Sequence, residues 1–72
     1  MTSEEKRALW RLYPEVWGLL EEFNGILAED DGAWARLVDE AQRIGGAYGS
    51  ATVWDLLSET LTDLEKMDKK RR

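Results

Sequence analysis

Residues 9–27 read LWRLYPEVWGLLEEFNGIL, and the way the chain passes Pro14 within this stretch decides the fold. Leu9, Leu12, Val16, Leu19, Phe23 and Ile26 recur at alternating steps of three and four. That spacing lines up one face of an α-helix for about five turns. Proline inside a helix removes a donor and clashes with the carbonyl four residues back, yet it suits a first turn. The segment is therefore one helix kinked at Pro14 or two helices joined near Tyr13. Because the stripe keeps its phase across Pro14, a kink or a very tight break is expected rather than a large reorientation. Gly18 and Gly25 each weaken a helix by up to ~1 kcal/mol, which points to close packing or to an unoptimised sequence.

A second row lies beside the first. Trp10, Tyr13 and Trp17 stand at i, i+3 and i+7, and Leu20 and Leu27 continue them. The segment is thus apolar over a wider arc than one small bundle covers. Either a bend at Pro14 turns these rings into the domain's own core, or the row meets a second copy or another protein. Trp and Tyr are favoured interface anchors. Trp10, Tyr13, Trp17 and Leu20 are accordingly the candidate partner-binding residues.

Towards the N-terminus, Thr2 followed by Glu5 matches a capping box, with Ser3 as a competing cap. Towards the C-terminus, Glu29-Asp30-Asp31-Gly32 is the first clear turn, with Asp30 or Asp31 placed to cap the next helix. That helix is expected over 33–44, with Trp34, Leu37, Val38, Ala41 and Ile44 on one face. Arg36 with Glu40 and Asp39 with Arg43 would form i,i+4 pairs on the other. Gly45-Gly46 reads as a stop, opening a loop that lasts to Ser50. Thr52 then caps a last helix, with Asp55 in the capping-box position. Its core stripe is Val53 or Trp54, Leu57, Leu61 and Leu64, with Met67 extending it. Nothing alternates with period two for long enough to make a strand. The expected fold is all-α: a small three-helix bundle with a kinked first helix, or four helices if Pro14 is a true break. Residues 1–65 form the expected domain, and 66–72 a basic helix end or tail.

Composition sets the remaining limits. Seventy-two residues make one small domain, and a chain this short buries only about 60% of its unfolded surface, so association is an expectation. Without Cys there is no disulfide, thiol nucleophile or thiolate metal site. Without His the usual general base and commonest metal ligand are missing. The polar, acidic N-terminus is followed by no apolar run, so neither a signal peptide nor a membrane span is expected, and the location expected is cytoplasmic. Residues 1–65 hold fourteen acids and five bases, while 66–72 hold five bases and one acid. Cations at the end of a helix complement its dipole.

Two carboxylate rows follow helical spacing: Asp55, Glu59 and Asp63, and Glu15, Glu22 and Glu29 with Glu21 alongside. Steps of about 6 Å along the first row approach the rise of two base pairs, so such a row can imitate phosphates. It also serves simply as a solvated helix face. Glu29-Asp30-Asp31 lacks the alternating ligands of a calcium loop, and no metal or cofactor is expected. No glycine loop offers the lysine that a phosphate cradle needs. A helix-turn-helix reading of 33–69 fails because its second helix opens with Asp55 where a base is needed, so no sequence-specific nucleic-acid binding is expected. The expected function is a non-enzymatic protein–protein interaction module that forms a homodimer through its aromatic face. The alternative is an inhibitor, of the phage or mobile-element type, that blocks a nucleic-acid enzyme through Asp55, Glu59, Asp63, Glu15 and Glu22.

Overall fold

A computed structural model describes residues 1–27 and 29–71. Among these the chain is all-helical: α1 (Ser3–Leu12), α2 (Pro14–Phe23), α3 (Ala33–Tyr48) and α4 (Ala51–Arg71). None is long and apolar enough to cross a membrane. The molecule measures 15 Å across its shortest axis, so every helix keeps an outward face. α2 packs against all three other helices, while α1 packs against α2 and α4.

Thr2 caps α1 as its spacing predicts, its hydroxyl accepting the Glu5 N–H at 3.1 Å. Four helices form, and not three, because Pro14 breaks the chain. Proline excludes the residue before it from helical geometry, and Tyr13 takes φ −124°, ψ 73°. The Tyr13 N–H still donates to the Leu9 carbonyl at 2.8 Å, closing α1, and Pro14 opens α2 in its first turn. The single stripe expected through this segment is therefore split. Val16, Leu19 and Phe23 are buried, whereas Leu12, at the break, is 70% exposed. Gly25 does not sit in a helix: it turns the chain at φ 89°, delivering Leu27 to the core.

Asp30 organises the entry to α3. Its carboxylate accepts the Gly32 N–H at 2.9 Å and pairs with Arg36 at 3.0 Å. Arg36 thus reaches back to Asp30 rather than on to Glu40, and Arg43 takes Glu40 rather than Asp39. Leu37, Ala41 and Ile44 are buried, but Trp34 is left 40% exposed. Gly45-Gly46 does not end α3. The helix runs on to Tyr48 and stops at Gly49, whose φ is 62°. Gly45 is there for packing: a Cβ on it would lie 2.6 Å from the Trp54 ring.

α4 starts at Ala51, so Thr52 lies inside its first turn and does not cap it. Val53, not Trp54, takes the core position, followed by Leu56, Leu57, Thr60 and Leu64, all at 2% exposure or less. Leu61 and Met67 are partly buried against this cluster. The basic segment from Lys66 to Arg71 continues α4, and Arg72 lies outside the described residues.

Candidate partner-binding groove

α1 contributes no fully buried residue. Apolar contact from Leu9 and Trp10 holds it, together with two polar links to α4. Lys6 pairs with Asp63 at 2.8 Å. The Trp10 indole N–H donates to the Thr60 hydroxyl at 3.0 Å, and that hydroxyl donates to the Leu56 carbonyl at 2.8 Å. Thr60 is fully buried, so both bonds satisfy a group that would otherwise be costly. Trp10 is thereby fixed at one edge, half-buried, with its ring 5.1 Å from that of Trp17.

These two indoles line an open groove of about 380 Å³ together with Arg7, Arg11 and Pro14. Arg7, Trp10 and Arg11 share a face of α1 at steps of three and one, and Pro14 and Trp17 share a face of α2 at a step of three, so each short helix presents one face to the groove. Trp17 is 39% exposed there. Neither Arg7 nor Arg11 forms an ion pair with another described residue, although the chain carries fifteen acids.

Of the four residues expected to make one aromatic face, Trp10 and Trp17 share the groove. Tyr13 does not: the break turns it onto Tyr48, edge to face at 5.1 Å. Leu20 is partly buried against the core. Arg7, Arg11 and Pro14 escape a reading that follows apolar rows alone, although their spacing from Trp10 and Trp17 is plain in the sequence.

The acidic rows have a different fate. Asp63 is tied to Lys6, and Glu59 lies 3.8 Å from the Met1 amine, so both help dock α1 on α4. Asp55, Glu15 and Glu22 are exposed. Tyr48, beside Glu15, has its hydroxyl pKa raised, first by desolvation and then by the nearby carboxylate. A second open concavity of about 340 Å³, bordered by Trp34, Asp30, Asp31, Glu65, Asp68 and Lys69 among others, lies where α3 begins and α4 ends. No group of three or more His, Cys, Asp or Glu among the described residues is arranged to hold a metal ion.

Compared with protein-family models, curated proteins and solved structures, the chain matches none.

Proposed function

We propose that this chain is a non-enzymatic helical interaction module that binds protein through the α1–α2 groove and closes there on a second copy of itself. The observation that carries this reading is the pairing of two indoles with two arginines that have no partner among the described residues. Trp and Arg are the residue types most enriched at the energetic centres of protein interfaces, where they gain most from being covered. The small core supplies a second reason, since a domain of this size gains stability from association.

Phosphate mimicry has less to rest on. Two of the three carboxylates in the Asp55–Glu59–Asp63 row face cations of the same chain. The test is the solution mass of Trp17→Ala. The Trp17 side chain makes no hydrogen bond with another described residue, so its removal should leave the helices formed while association falls to monomer. Unchanged association in a folded Trp17→Ala variant would place the interface elsewhere.

A further inference from the structure

The groove belongs to a longer strip whose two halves carry opposite charge, and this bears on how a second copy would sit. Along α1 the strip runs through Arg7, Trp10 and Arg11 to Pro14 at the break. Along α2 it continues from Pro14 through Trp17 and Gly18 to Glu21, which lies four residues past Trp17 and seven past Pro14. Glu21 is exposed and has no ion pair with another described residue. Gly18 is equally bare, with nothing within 4 Å of the place its Cβ would occupy. The α1 half of the strip is basic and the α2 half ends in an acid.

A two-fold interface brings the same patch of both subunits together, so it requires a patch that complements itself on reversal. This strip does. Reversal about Pro14 sets the α1 half of one copy, with Arg7 seven residues before Pro14, against the α2 half of the other, with Glu21 seven residues after it. The same operation sets Arg11 opposite Trp17 and Trp10 opposite Gly18. The first pairing joins two charges that have no ion pair with another described residue. The second puts a guanidinium against an indole face, a favoured contact. The third puts one of the strip's two indoles against its only residue without a side chain.

Resting on the self-association proposed above, we infer that the occupant of the groove is a second copy docked antiparallel about Pro14, with Arg7 of each copy paired to Glu21 of the other. The strip's own charges make the contact self-complementary, and the same charges disfavour a parallel arrangement, which would set Arg7 against Arg7.

A charge exchange tests this, because each substitution alone reverses both symmetry-related pairs while a mixture restores them. Arg7→Glu and Glu21→Arg are prepared separately, each checked for native helicity, and the dissociation constants of each alone and of an equimolar mixture are measured. Native mass spectrometry separates the species in the mixture by mass. Each variant alone should associate at least about tenfold more weakly than the unmodified chain, since two attractive pairs become two repulsive ones. The mixed dimer should form with an affinity within about threefold of the unmodified one. If the unmodified chain dimerises but the mixture yields no preferred mixed dimer, the antiparallel docking is wrong while self-association stands. If the unmodified chain stays monomeric, self-association fails and this docking fails with it.

Discussion

Removing the hydroxyl of Thr60 should loosen α1 and, with it, the groove. Thr60 is fully buried on α4 and its hydroxyl stands between the Trp10 indole and the Leu56 carbonyl. In Thr60→Val the shape is kept but the indole N–H loses its acceptor in a partly buried place, a cost of about 1–2 kcal/mol. The added methyl offsets up to about 0.8 kcal/mol by apolar burial. The net loss is about 1 kcal/mol, which for a domain of this size lowers Tm by about 4–8 °C. Urea unfolding followed by circular dichroism measures the equilibrium loss, and a cycle with Trp10→Phe assigns it. Trp10→Phe should cost about 0.5–1.5 kcal/mol less in the Thr60→Val background than in the native one. In Thr60→Ser, which keeps the hydroxyl, that coupling should persist. Strictly additive costs, or a Thr60→Val variant as stable as the native chain, would refute the tether.

Gly45→Ala should destabilise by about 1–3 kcal/mol despite alanine's better helix propensity, because its Cβ would meet the Trp54 ring at 2.6 Å. In a Trp54→Ala background the same change should become stabilising, and thermal melts of the four chains check the reversal. The Asp30 carboxyl is held below its ordinary 3.8, first by the Gly32 N–H and then by Arg36. A lowered folded-state pKa means that its contribution is present above the unfolded value and is lost as pH falls through the folded one. The Tm gap between the native chain and Asp30→Ala should accordingly be constant at pH 5–7 and shrink below about pH 4, and a gap independent of pH would contradict it.

Much of the fold was legible because its signals are local. The three-and-four spacing of Val16, Leu19 and Phe23 depends on nothing beyond its own helix, and neither does the Thr2 cap. What misled was Leu12. The stripe in register across Pro14 agrees with the very tight break that forms at Tyr13, but the constraint on Tyr13 acts on backbone geometry whatever the side-chain pattern, and it left Leu12 outside. Gly45-Gly46 misled for the opposite reason. Local propensity marks a stop there, while the reason for glycine is an indole on another helix. The candidate site was half legible for the same cause. Trp10 and Trp17 share a row in sequence and in space, but the row loses Tyr13 at the break. Arg7 and Arg11 become informative only once the structure shows that neither forms an ion pair with another described residue. The acidic row looked free because its partners, Lys6 and the Met1 amine, come from the far end of the chain.

The claim that the groove closes on a second copy is met most directly by the solution mass of the unmodified chain. Light scattering on a sizing column, over a concentration series and at low and high salt, reads it without any substitution. The expected result is a concentration-dependent rise from the 8.3 kDa chain to twice that mass, reached at higher concentration when salt is raised. A mass that stays at 8.3 kDa throughout, in a chain that is fully helical, would contradict self-association.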